Sequence, residues 1–151
     1  MRRLFIMRKD LNMSPGKLSA QVSHCAEAYW TNKMRNSVIP IEDPLSKIDN
    51  RKITGYHFSF SVSVEEYENY INGSFVKTIC QAKNKNHLMK AVQMAKELGL
   101  VEGEDFGLIR DNCLTELEPE DEDGRTTTGI WFKPLPDEIS KSISKKYHLY
   151  M

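Results

Sequence analysis

Hydrophobic positions along this chain follow two periods, and the switches between them mark the elements. The continuous apolar run Leu4-Phe5-Ile6-Met7 reads as a short buried strand. Asn12 to Gly16 supply a turn, with Ser14 as an N-cap and Pro15 at the first helical position. In the helix that follows, Leu18, Val22, Cys25, Ala26 and Tyr29 form an apolar stripe, and Lys17, Gln21 and His24 line up on the polar side. Asn36 to Lys52, proline-bearing and mixed in charge, predicts an irregular connection, either an insertion or a flap, within an extra segment at about 36–60. Tyr56 to Val64 alternates like a strand, and Val64 to Ile71 reads as a short helix stopped by Asn72-Gly73. Phe75 to Ala82 is the next strand. Asn86 is expected to cap a helix to Leu98, with Leu88, Val92, Ala95 and Leu98 inward and Lys90, Gln93 and Lys96 outward, closed by Gly99. Phe106 to Arg110 and Thr126 to Phe132 are further strands, separated by an acidic loop, Leu117 to Gly124. Pro136-Asp137 opens a last helix to about Lys145.

Strands alternating with helices predict an α/β fold, a sheet with helices on its faces. A length of 151 residues suits a single domain spanning 1–151. The 21 basic residues are matched by 21 acidic ones, which argues against a strongly basic nucleic-acid coat while leaving local patches open. Cys25, Cys80 and Cys113 are an odd set without a CxxC pair, so neither a disulfide scaffold nor a zinc knuckle is expected. No signal peptide or membrane span is read from the chain, and a cytoplasmic setting is expected.

In such sheets the functional crevice lies beyond the carboxyl ends of the strands. Lys17 follows one such end and Asp111 another, so parallel strands would make both face one crevice. Gly16-Lys17 is not a phosphate loop, because Leu11 and Leu18 stand where that motif needs glycine and a hydroxyl residue. A lysine in a first helical turn opposes the helix dipole, a placement more easily understood if an anion sits there. Asp111 reads equally as a turn or cap residue. His24 reads first as a hydrogen-bonded surface group, and Thr126, Thr127 and Thr128 read first as strand formers. Cys25, Trp30 and Trp131 read as packing residues, while Cys113 is a weak candidate nucleophile with no histidine beside it in sequence.

Taken together, the ordered blocks resemble the type II peptidyl-tRNA hydrolases, the archaeal and eukaryotic kind. The first is Arg8-Lys9-Asp10-Leu11-Asn12-Met13, then Gly16-Lys17, Ala20-Gln21 and His24-Cys25-Ala26. The second runs from Lys96 to Leu100, then Leu108-Ile109-Arg110-Asp111 and Thr115. The third is Thr126 to Thr128 with Pro134-Leu135-Pro136, and Tyr147-His148-Leu149 echoes the family's ending. The resemblance implies a four-stranded mixed β-sheet with helices on both faces, and hydrolysis of the ester joining a peptide to the 3′ end of tRNA. It assigns the catalytic positions to Lys17, Asp111, Thr115 and Thr128, and substrate contacts to Gln21, His24 and Thr126. It calls for neither metal nor cofactor; a homodimer is a further expectation. The chain departs from the family at Asn112-Cys113-Leu114, where the family has Ala-Gly-Arg, at Glu116, and in the long acidic loop, whose charge is expected to repel a phosphate backbone. Those departures keep a non-catalytic member, binding tRNA or a protein partner, as the alternative; hydrolysis of some other acyl ester or amide is the third reading.

Overall fold

Strand β1 (Arg2–Arg8) runs parallel to β4 (Val76–Ala82) on one side and antiparallel to β6 (Thr126–Phe132) on the other. The computed structural model describes residues 1–45 and 52–151. Strand β5 (Phe106–Asp111) pairs antiparallel with β6, and the two-residue β7 (His148–Leu149) pairs with β4, giving the order β5-β6-β1-β4-β7. The expected mixed sheet and its four strands are present, with β7 as a fifth. Because β1 and β5 are each antiparallel to β6, they run the same way and end at the same side of the sheet.

Alternation along β1 builds two cores. Leu4 and Ile6 face one side with Ile130, Phe132 and Phe106, under α3 (Lys85–Glu97) and α4 (Asp137–Ser144). Phe5 and Met7 face the other with Trp131, under Cys25 and Tyr29 of α1 (Pro15–Asn36). Each large side chain fully buried in this way contributes about 1.5–3 kcal/mol. Between β1 and β6 the approach is close: a Cβ on Gly129 would lie 2.7 Å from Met7 Sδ and 3.0 Å from the Ile6 carbonyl oxygen, so only glycine fits without a shift. The buried Arg3 guanidinium fastens α1 down, donating to the carbonyls of Cys25, Ala26 and Phe132.

Several expectations shift. The connection after α1 is more regular than its prolines suggest, because β2 (Val38–Glu42) and β3 (Ile53–Phe58) pair as an antiparallel hairpin with a register shift at Ile41/Glu42. Residues 46–51, within the predicted irregular connection, lie outside the described residues. The short α2 (Val64–Glu66) continues as a π-helical segment (Tyr67–Ser74) in which Gly73 leaves helical geometry. The N-cap of α3 is Asn84 rather than Asn86, since Asn84 Oδ1 accepts the His87 amide at 2.9 Å; Leu98, expected inward, is an exposed C-cap.

Candidate active site

The turn after β1 and the start of α1 meet the turn after β5. Ser14 caps α1, its hydroxyl accepting the Lys17 amide at 3.2 Å, with Pro15 beginning the helix. Glu116 reaches back from the other turn and accepts both the Ser14 amide and the Ser14 hydroxyl at 2.8 Å. A carboxylate is favourable beside a helix N-terminus, and this one also ties the two turns together.

Lys17 Nζ lies 2.8 Å from Asp111 Oδ2, with both side chains largely buried, at 13% and 11% exposure. The anion that makes sense of a lysine in the first turn is therefore the protein's own Asp111. Lys17 Nζ also donates to Thr115 Oγ1 at 3.1 Å. Gln21 Nε2 donates to the same Asp111 Oδ2 at 2.7 Å, and Thr128 Oγ1 donates to Gln21 Oε1 at 2.7 Å. On the far side, Asp111 Oδ1 accepts the Cys113 amide at 2.9 Å. Thr115, Lys17, Asp111, Gln21 and Thr128 thus form one continuous chain of polar contacts. Burial pushes the Asp111 carboxyl upward, but Lys17 and the Cys113 and Gln21 donors outweigh it, holding the group below its ordinary value.

Gln21, expected on an open polar stripe, is almost wholly buried. It borders the apolar stripe, and Asp111 and Thr128 satisfy both ends of its amide, which is why a polar residue is stable there. The two remaining expected residues stand apart from this chain. Thr126 is buried and works on the acidic loop, accepting the Glu120 amide at 3.0 Å and donating to the Glu118 carbonyl at 2.7 Å. His24 is exposed and lines a groove between α1 and β5. Cys25 is sealed in the core, and burial pushes its thiol up to about 12. Cys113 turns its sulfur to the Asp111 carbonyl and has a left-handed backbone, φ 55°. A non-glycine residue adopts that conformation at some strain.

Sequence reading placed Arg8 in the first block but gave it no role. It is buried at the end of β1 and bonds Asp10 at 2.7 Å, Glu120 at 2.5 and 2.8 Å, and the Thr127 carbonyl at 3.0 Å. Asp121 pairs with Lys85 and Arg110, and Asp123 with Arg110. Much of the acidic loop's charge is therefore turned onto basic partners instead of standing open toward a phosphate backbone. In sequence Arg8 showed as a charged residue closing an apolar run and opening the first block, with nothing to name its partners. Among the described residues, no group of three His, Cys, Asp or Glu side chains is arranged to hold a metal ion, and no helix is long and apolar enough to cross a membrane.

The fold is α/β, a mixed sheet with helices on both faces, and comparison with known proteins says which family it belongs to. The model of the family described as peptidyl-tRNA hydrolase PTH2 matches residues 1–150. A peptidyl-tRNA hydrolase of Thermococcus sibiricus is 25% identical over 143 residues, covering 95% of this chain and 92% of that one. One from Methanopyrus kandleri is 26% identical over 118 residues, covering 78% of this chain and 75% of its own. The chain belongs to the peptidyl-tRNA hydrolase PTH2 family.

Proposed function

We propose that this protein hydrolyses the ester bond of peptidyl-tRNA, releasing peptide and tRNA, with Lys17 and Asp111 as its catalytic pair. The observation that carries the reading is their 2.8 Å contact at the joint ends of β1 and β5, in a chain that matches the family almost end to end. Hydrolysis needs a positioned water, a stabilised oxyanion and a held leaving group. Asp111 is ionised and crowded with donors, so it serves better to orient a water at Oδ1 than to strip it of a proton. Lys17 spends two of its three N–H donors on Asp111 and Thr115; the third is available to the developing oxyanion. Thr115 sits at the rim, suited to a ribose hydroxyl. Gln21 and Thr128 act behind the carboxylate, fixing its rotation. In this reading Thr126 holds the acidic loop in place, and His24 guards the entrance to the neighbouring groove.

The tRNA backbone is best served by Lys83, Lys90, Lys146, His87 and His148, which gather around one shallow pocket beyond the end of β4. Phosphate contacts of that kind position a nucleic acid without reading its sequence. Both the substrate and this chemistry fit a cytoplasmic protein. We treat the segment at about 36–60 as an insertion into the family domain, and its hairpin as the contact of a homodimer. Val38, Ile39, Ile41, Tyr56 and Phe58 are all exposed, and a lone two-stranded hairpin is marginal in water without a partner.

The test is to incubate the protein with N-acetyl-aminoacyl-tRNA, following release of the acyl group beside a filter-binding measurement. Turnover with salt-sensitive tRNA affinity is expected. Binding without turnover would replace this reading with the non-catalytic one, for which the changed 112–116 turn is the argument. Turnover of small esters together with salt-insensitive tRNA affinity would favour the third reading.

A further inference from the structure

Strand β5 pairs with β6 on one side; on the other, among the described residues, only Glu102 bridges it, at Phe106, and beyond that point a groove of about 630 Å³ separates the strand from α1. The α1 wall includes His24, Ala28 and Thr31, and the floor includes Trp131. Gly107 keeps this floor low: a Cβ there would meet the Trp131 indole at 2.9 Å, so the strand presents bare backbone where another residue would present a side chain. The groove ends at Arg110, immediately before Asp111.

The backbone of β5 is aimed into this space. The Asp105 carbonyl accepts from Lys133 on the inner side, and the Phe106 carbonyl accepts from Gly103 on the outer side. Alternation along a strand then turns the Leu108 amide and carbonyl outward, to the open edge. Nearer its start, the same edge already receives a parallel neighbour: Glu102 forms a parallel bridge with Phe106, sealed by the 2.8 Å bond from Gly103. Asn32 of α1 donates to the Gly103 carbonyl at 3.2 Å and closes the far end of the groove.

We propose that the peptide portion of the substrate docks here as an added strand, parallel to β5, with its ester carbonyl at Lys17 and Asp111. This rests on the hydrolase reading above. Direction follows from the chemistry. The ester is at the carboxyl end of the peptide and the catalytic pair is at the carboxyl end of β5, so the two chains run the same way. Leu108 to Asp111 spans roughly 10 Å at about 3.3 Å per residue, room for about three peptide residues before the Glu102–Gly103 bridge turns the rest outward. Charge points to a peptide in preference to the tRNA backbone: Arg110 is already paired with Asp121 and Asp123 and Glu102 with Lys96, and the walls otherwise carry one charge of each sign, Glu27 and Arg35, whereas a phosphate track needs one sign. Main-chain pairing of this kind takes its affinity from backbone hydrogen bonds.

The test measures kcat/KM on tRNA carrying N-acetyl-aminoacyl, dipeptidyl, tripeptidyl and pentapeptidyl groups, then on tripeptidyl substrates with a single N-methyl group at each amide in turn. The expected result is a rise of about tenfold to the tripeptide and a plateau beyond it, with N-methylation costing about tenfold at alternate positions only. Turnover that ignores both length and N-methylation would overturn the docking while leaving the hydrolase reading intact. A uniform loss at every amide would also overturn it, since strand pairing has a period of two. No turnover on any substrate would overturn both.

Discussion

Replacing Gln21 with methionine isolates what the buried amide contributes. The change keeps volume and shape in a site that is 1% exposed, so a cavity adds little. It removes the 2.7 Å bond to Asp111 Oδ2, a bond to a charged group and so worth about 1.5–3 kcal/mol. The Thr128 hydroxyl also loses its 2.7 Å partner, but the Ile109 carbonyl at 3.3 Å can receive it, which offsets most of that loss. Destabilisation should therefore be about 2 kcal/mol, a fall in Tm of about 4–8 °C for a chain of this length. Asp111 keeps Lys17 and the Cys113 amide but loses a donor that favours its ionised form, so its pKa rises from its depressed value. Activity carried by the carboxylate is lost as pH falls through that pKa, so the acid limb of kcat should move to higher pH. With the carboxylate freer to rotate, kcat at neutral pH should fall about tenfold or more while KM changes little. Urea unfolding and a pH profile of acyl release check each part. A variant with wild-type kcat and an unmoved acid limb would refute the claim that Gln21 fixes the carboxylate.

Three further substitutions probe the surroundings. Cys113→Gly relieves a left-handed backbone, and should leave activity intact and stability unchanged or higher by about 1 kcal/mol in urea unfolding. Arg8→Met removes a buried guanidinium and leaves the partly exposed Asp10 and Glu120 carboxylates to water, and should cost about 2 kcal/mol by the same measurement, the loss of hydrogen bonds to charged groups. Ile39→Ser with Tyr56→Ser alters only exposed hairpin positions; light scattering should show a dimer reduced to monomer, and an unchanged mass would contradict the proposed contact.

That Lys17 and Asp111 would face one crevice was legible in the sequence because it depends on local signals, whereas the roles of Thr115 and Thr128 came from the family resemblance. Ser14-Pro15 fixes where α1 begins, the Leu4–Met7 run fixes where β1 ends, and Asp111 closes a strand-like run, so a shared crevice followed once β1 and β5 ran the same way. What pattern could not supply was partnership across long separations. Gln21 looked solvent-facing because its partners, Asp111 and Thr128, are about a hundred residues away in sequence. The acidic loop looked repulsive for the same reason, its charges being answered by Arg8, Lys85 and Arg110. Strand β3 was read too late, from Tyr56 to Val64 where it spans Ile53–Phe58, its partner β2 was hidden by Pro40 and by the absence of a two-residue turn signature, and β7 is too short to register any period.

The central claim is that Lys17 and Asp111 act as one unit in ester hydrolysis. A double-mutant cycle tests it most directly: kcat/KM for peptidyl-tRNA with Lys17→Met, Asp111→Asn and the two combined. Each single change should cost about a hundredfold or more, and the double should be scarcely worse than the poorer single, because the second substitution removes a group whose partner is already gone. Wild-type turnover in either single variant, or losses that simply multiply in the double, would contradict it.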